Sequence, residues 1–576
     1  MSSDAFATLD AETAEAARLA TVRSAPSGRA LPPSSPPLVE VQNLQVRFGT
    51  AGPPVLRGIS FTLRRGECLA LVGESGSGKS VTARTLVGLA GPEARVTADC
   101  LNFAGEDLRG IRERRWRELR GGRIGFVMQD ALGSLDPLRT VGAEIAEALR
   151  LHTSLNRAQR EAKVVELLRS AGVPEPEVRV RQLPHQLSGG LRQRALIASA
   201  IACGPELLLA DEPTTALDAA VQVQVLDLLM SLRRPHNAMV VVSHDFAVVS
   251  RLADTVAVMQ GGLIVEQGPI EAILRNPQHP YTRSLLDAVK SVHSRGRGTT
   301  PAAPRASAGA AGATPVLEVS GLTKAFTGPD GKKRTAVSDV SFALYPGETL
   351  GLVGESGSGK TTTTRLVLGL EKPDQGSIFL QDRDWLSLSA PEQRAARRRM
   401  QVVFQDPLGC FDPRYTVERV LGEALEVAGV PGGPARRARA LELLDLVRLD
   451  RGVIDRRPLG LSGGQRQRLA IARALAPGPA VLVCDEPVSA LDVSVQQQIL
   501  DLLADLKARL GLACLFISHD LGVIRRISNR VIVMKDGVVV EAGEVGEIFA
   551  GPKHPYTQTL LAAIPILEFA GHAVEI

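Results

Sequence analysis

The apolar residues of this chain gather in short continuous runs, each closed by a glycine-rich loop or by an acid. CLALVG (68–73), LLLAD (207–211) and MVVVSHD (239–245) are of this kind, and TLGLVG (349–354), VLVCD (481–485) and CLFISHD (514–520) repeat them. Such runs, with no polar alternation, suit strands buried on both faces of a mostly parallel sheet. The runs at 68–73 and 349–354 lead through glycine-rich loops into stretches that read as helix, such as KSVTARTLVGL (79–89). Further helical insertions are expected between Gln129 and Ser188 and between Gln405 and Ser462. The pattern predicts an α/β protein.

It also occurs twice. GESGSGKS (73–80) returns as GESGSGKT (354–361), LSGGLRQR (187–194) as LSGGQRQR (461–468), and DEPTTALD (211–218) as DEPVSALD (485–492). SHD (243–245) returns at 518–520 and HPYT (279–282) at 554–557, in the same order and at nearly constant spacing. The chain therefore reads as one domain, duplicated. The expected boundaries are 38–293 and 316–576, with a linker at 294–315 whose Gly, Ala, Pro and Ser cannot build a core. The first 37 residues, ending in LPPSSPP, read as a disordered extension.

Composition narrows the choice of partner. With 44% hydrophobic and 22% charged residues among 576, the balance is globular and excludes a fibrous or wholly disordered chain. A net charge of +5 gives no reason to expect nucleic acid, and 2 Trp, 4 Tyr and 14 Phe supply few platforms for stacking bases. The acidic N-terminus lacks the apolar stretch of a signal peptide. The most apolar region, 238–259, is broken by His244, Asp245, Arg251 and Asp254, so no direct bilayer insertion is expected. Six cysteines form no CxxC pair, and most lie in apolar runs, which predicts buried, reduced thiols in a cytoplasmic protein.

The loops carry the chemistry. GxxxxGK[ST] between a strand and a helix lets backbone N–H groups wrap phosphates at the positive end of the helix dipole. Lys79 and Lys360 would neutralise phosphate charge, and Ser80 and Thr361 would ligate Mg²⁺. Asp211 and Asp485 close apolar strands and would stand near that metal. Glu212 and Glu486 follow them. Because neighbouring strand residues face opposite ways, one acid would serve the metal and the other a water. An Asp-Glu pair at a strand end is ordinarily just solvated; beside a phosphate loop it has a task.

These motifs together resemble an ATP-binding cassette (ABC) ATPase, with two cassettes fused and every expected element in order between Leu38 and about Ala563; LSGG is the most diagnostic of them. The resemblance implies tandem P-loop domains, each with a parallel sheet core, an antiparallel β part and a helical insertion, hydrolysing ATP with Mg²⁺. Phe48 and Phe326 match the aromatic that stacks on adenine. ATP would be held by Gly73, Glu74, Ser75, Gly76, Ser77, Gly78, Lys79 and Ser80, and by Gly354, Glu355, Ser356, Gly357, Ser358, Gly359, Lys360 and Thr361. Ser188, Gly189 and Gly190, with Ser462, Gly463 and Gly464, match the signature that meets the opposite cassette's γ-phosphate. The first loop would then share a site with Ser462 and the second with Ser188. Asp218 and Asp492 match the loop crossing that interface. Gln129 and Gln405 match the glutamine that senses metal and water, Glu212 and Glu486 the catalytic base, and His244 and His519 the γ-phosphate contact. The implied metal ligands are Ser80, Gln129 and Asp211 in one site and Thr361, Gln405 and Asp485 in the other. The one departure is Leu191 where the second copy has Gln465; lying outside Ser-Gly-Gly, it is expected to cost little.

Within the family, QDALGSLDPLRTVG (129–142), QDPLGCFDPRYTV (405–417) and the two HPYT segments resemble importer ATPases for oligopeptides and dipeptides, a group that includes nickel and glutathione systems. The resemblance implies two transmembrane permease subunits docked near 129–147 and 405–423, and an extracytoplasmic solute-binding protein acting through them. It also implies a peripheral location on the cytoplasmic face of the membrane. A peptide is the expected solute. The lone His279 and His554, each beside a proline, suit packing rather than metal. No cysteine follows Cys514, so no iron–sulfur cluster is expected. Two other readings stay open: an ATPase serving an exporter or a non-transport membrane complex, and a soluble tandem cassette protein acting on ribosomes. The Ala/Gly/Pro linker and HPYT speak against the second.

Overall fold

The computed structural model describes residues 36–49, 52–215, 217–293, 314–327, 333–489, 491–562, 568–569 and 572–573; residues 1–35 of the expected extension 1–37 and 294–313 of the expected linker 294–315 lie outside them. Each half holds a six-stranded sheet. In the first its order is Leu263–Pro269, Thr255–Gln260, Cys68–Val72, Ala238–Ser243, Leu207–Asp211 and Ile124–Val127. All neighbours are parallel except the outermost hairpin. The second half repeats the order with Val538–Glu544, Arg530–Lys535, Thr349–Val353, Ala513–Ile517, Val481–Asp485 and Met400–Val403. The continuous apolar runs are the central strands, and Cys68–Val72 is buried at all five positions.

Two-sided burial has two causes. Leu69 and Leu71 face an antiparallel sheet built on Val39–Phe48 and Leu56–Leu63, where they meet Phe61 and Phe103. Val241 on the neighbouring strand faces the other way, into Ile145 and Leu168 of the helical insertion and Leu196 of the helix Gly189–Ala200. A second antiparallel sheet, on Leu317–Thr327 and Lys333–Leu344, covers the second half in the same way. The insertions themselves are Val141–His152 and Arg157–Ser170 in the first half, Val417–Val427 and Pro434–Leu446 in the second.

Three cysteines depart from the expected burial. Cys68, Cys484 and Cys514 are buried, whereas Cys100, Cys203 and Cys410 are half-buried; all six are free thiols. The half-buried ones lie on an antiparallel strand (Cys100), in a turn (Cys203) and at the end of a short 3₁₀ helix (Cys410).

The halves touch. Helix Pro280–His293 of the first packs on Val493–Leu510 and Leu521–Ile527 of the second. Val493 joins the cluster of Val72, Phe246 and Leu286 across that boundary.

Candidate functional site

The topology decides where the chemistry gathers. Cys68–Val72 lies mid-sheet beside Ala238–Ser243, with Leu207–Asp211 next and all parallel, so the segments leaving these strands gather at their common C-terminal end. The first loop begins at Gly73, φ +152°, where a Cβ would stand 2.2 Å from the Met259 carbonyl oxygen; no side chain fits. Helix Lys79–Leu86 starts directly after Gly78, leaving its first N–H groups turned to the loop. Lys79 Nζ donates to the carbonyls of Gly73 (2.7 Å) and Glu74 (2.9 Å); Lys360 does the same to Gly354 (2.7 Å) and Glu355 (2.8 Å). Burial holds both ammonium pKa values below the usual range, against the upward pull of nearby carboxylates, chiefly Glu212 and Asp492 for Lys79 and Glu486 and Asp218 for Lys360.

Two observations fit the implied ATP and Mg²⁺. The Ser77 and Ser358 hydroxyls are buried with no partner, inside loops of the phosphate-cradle type. Ser80 donates to Asp211 Oδ1 at 2.9 Å, while Asp211 Oδ2 is buried and unpartnered. A hydroxyl and a carboxylate with a vacant oxygen form a hard donor set suited to Mg²⁺. Burial raises the pKa of Asp211 and of Asp485, so a neighbouring cation would stabilise either carboxylate.

The two acids do diverge, but not by strand alternation. Glu212 and Glu486 both sit at φ +49°, in the left-handed region, just past the strand ends. That reversal swings Glu212 to a different set of partners from Asp211. Its Oε2 accepts from Gln129 Nε2 (2.8 Å) and Thr215 Oγ1 (3.0 Å), and its Oε1 faces His244 Nδ1 at 3.3 Å. Gln405 Nε2 reaches Glu486 at 3.2 Å and Ser489 Oγ at 3.3 Å, and His519 Nδ1 lies 3.1 Å from Glu486. Thr215 and Ser489 were not singled out in the sequence, although both fall inside the repeated DEP segment.

Burial alone would lift the Glu212 and Glu486 carboxyls, but the facing histidines hold them below the carboxylate range. Burial alone would depress His244 and His519, and here the glutamates win, raising both imidazoles above their free value. A raised imidazole adds stability that is complete below about pH 6.5 and disappears as pH climbs through the raised value. The Tm of the nucleotide-free chain should therefore fall as pH rises above about 6.5. A His244→Gln, His519→Gln variant should show a shallower fall; an identical profile in the variant would remove this pair as the cause.

Asp218 and Asp492 act in two directions. Each caps its own helix, Oδ1 accepting from Val221 N (2.9 Å) or Val495 N (3.0 Å). Each also crosses to the other half: Asp218 Oδ2 accepts from Ser356 N at 3.4 Å, and Asp492 Oδ2 from Ser75 N at 3.5 Å. One further bond is not reciprocal. Ser494 Oγ donates to Glu74 Oε1 at 2.7 Å, whereas the matching position of the first half is Ala220, which carries no hydroxyl. The pKa of Glu355 is raised by burial, with the Asp218 charge adding to it.

Ser188 and Ser462 cap the helices Gly189–Ala200 and Gly463–Leu475. The Leu191 substitution shows here: Gln465 Oε1 accepts the Ser462 N–H at 3.0 Å, closing a capping box that leucine cannot form. Gly190 has no room for a side chain, since a Cβ would meet Val221 Cγ1 at 2.4 Å. Phe48, the last residue of its strand, and Phe326, the last but one of its own, are exposed (38% and 42%), as a stacking surface requires, rather than packed in the core. Next to the insertions, Leu138 stands 87% exposed, and its counterpart Arg414 is a charged side chain, also exposed.

The family described as "ABC transporter" matches residues 56–215 and 337–489, and "Oligopeptide/dipeptide transporter, C-terminal region" matches 265–312 and 540–575. The chain is 42% identical over 564 residues to a glutathione import ATP-binding protein of Salmonella paratyphi A, covering 93% of this chain and 90% of that protein. The corresponding protein of Escherichia coli K12 is 42% identical over 560 residues, covering 92% and 90%. Among solved structures, a dimeric post-hydrolysis state of the ATP-binding cassette MJ0796, bound to ADP and Pi, is 31% identical at a TM-score of 0.37. It covers 40% of this chain and 98% of that one.

Proposed function

Since the chain belongs to the ABC transporter family, as the ATP-hydrolysing subunit of an oligopeptide/dipeptide-type importer, we propose that its solute is a short peptide, with glutathione, itself a tripeptide, the first candidate. The observation carrying this reading is the agreement with glutathione import ATP-binding proteins across 93% of the chain, through both cassettes and into both C-terminal regions. Such a subunit works with membrane permeases, since no helix among the described residues is long and apolar enough to cross a membrane. In our reading two permeases dock beside the insertions, from the cytoplasmic side, and a solute-binding protein delivers the peptide to them. The contrast of Leu138 with Arg414 favours two different permease surfaces.

ATP is held by the two phosphate loops, with Lys79 and Lys360 as counter-ions, and Ser80 with Asp211, or Thr361 with Asp485, as the residues suited to Mg²⁺. When bound, Mg²⁺ neutralises phosphate charge. Glu212 and Glu486 take the proton of the attacking water. Gln129 and Gln405 orient each carboxylate, as their hydrogen bonds to it allow. His244 and His519 hold the γ-phosphate.

A strain lacking the gene should lose uptake of labelled glutathione or of dipeptides, and the intact gene should restore it. Unchanged uptake of both, with loss of nickel uptake instead, would turn the assignment to a metal importer.

A further inference from the structure

The HPYT segments reach the ATP sites. Tyr281, second residue of helix Pro280–His293, accepts the Glu74 N–H on its phenolic oxygen at 3.0 Å. Tyr556, second residue of Pro555–Ala562, accepts the Glu355 N–H at 3.0 Å. Both rings are buried. The start of each helix is pinned in turn. His279 Nδ1 accepts the Tyr281 N–H (3.2 Å), and Glu266 accepts the N–H groups of Gln278 (2.7 Å) and His279 (3.1 Å). His554 and Glu541 repeat the arrangement at 3.1 Å, 2.8 Å and 3.1 Å. The histidine and the neighbouring glutamate thus aim the tyrosine.

The N–H that each tyrosine receives belongs to the peptide Gly73–Glu74 or Gly354–Glu355. The carbonyl of that same peptide accepts Lys79 Nζ or Lys360 Nζ at 2.7 Å. In a planar trans peptide the N–H and C=O point opposite ways. The phenol and the lysine therefore hold one rigid plate from its two sides, and polarisation through the amide strengthens both bonds. Glu74 O, one peptide on, also accepts the Ser77 N–H at 3.1 Å, which carries the constraint into the loop.

We propose that Tyr281 and Tyr556 are positioning residues of the two ATP sites: each fixes the peptide on which the phosphate-binding lysine rests, and so makes the C-terminal extension part of the nucleotide site. Burial pushes both phenols up to about 12, so they remain protonated at neutral pH. The inference depends on ATP hydrolysis and not on the solute, so a different solute leaves it standing.

The test is Tyr281→Phe, Tyr556→Phe and the pair together in the full chain, each keeping the ring and removing the hydroxyl. ATP dependence of turnover, kcat and the nucleotide-free Tm are measured beside wild type. The double variant should raise the KM for ATP by about tenfold, because the freed loop relaxes toward water in the nucleotide-free chain and ATP must bind the minority with the cradle still in place. Its kcat should stay within about twofold and its Tm within a degree or two of wild type. Hydrogen exchange of the peptide holding residues 73–80 should quicken in Tyr281→Phe. An unmoved KM overturns the proposal. So does a KM that rises only together with a fallen Tm, because the tyrosines would then be packing residues alone.

Discussion

Replacing Glu212 and Glu486 by Gln together should lower ATP turnover by about 10²–10⁴ while ATP stays bound, because the variant keeps its shape but loses the group that draws a proton from water. The geometry makes the loss specific. Gln129 and Thr215 donate to one oxygen of Glu212, and the raised imidazole of His244 faces the other. A neutral amide offers that ring no charge, and its NH2 end must face either the imidazole or the two donors. Phosphate release with the permeases present reads the turnover, and retained ATP on the isolated chain reads the binding. The single variants should fall to a similar extent, since Glu486 has the same left-handed backbone and its own glutamine and histidine. One silent and one inactive single variant would mean that the sites have different tasks.

Lys79→Ala and Lys360→Ala should fail one step earlier. Each lysine is buried, at 5% or 6% exposure, and its Nζ donates to two loop carbonyls and stands among carboxylates. Removing one partner from a buried charged network costs about 3–5 kcal/mol, or roughly 10² to 4 × 10³ in affinity. The Kd for ATP at the affected site should rise by that factor, measured by equilibrium binding to the full chain. The glutamine variants should keep theirs. An unchanged Kd would mean that the backbone cradle binds phosphate without its counter-ion.

Most of the site was legible because its parts lie within short windows. The loop at 73–80, the strand ending at Asp211 and the cap at Ser188 each declare their chemistry through fixed local spacing, and duplication gave every motif a second witness. The central strands were legible for a related reason, since burial on both faces removes polar residues from the run. Features built by distant contacts were not. Tyr281 meets Glu74 across 207 residues, and HPYT by itself suggested packing. The Ser494–Glu74 bond crosses 420 residues and has no counterpart in the other half, so symmetry of motif concealed asymmetry of contact. The left-handed turn at Glu212 and Glu486 was hidden for another reason: it is a backbone state that glutamate seldom adopts, held by the loops around it.

The reciprocal grip of Asp218 on the second loop and Asp492 on the first occurs within a single polypeptide. Separate ATPase subunits that pair in this way come apart when diluted, and in a mixed population they can pair with the wrong relative. Here the partner is tethered in the same chain, at an effective concentration on the order of mM, far above the usual abundance of a membrane transporter. Translation itself sets the ratio of the two halves at one to one. An inactive copy of the gene would therefore compete for permeases but would not poison a working copy site by site.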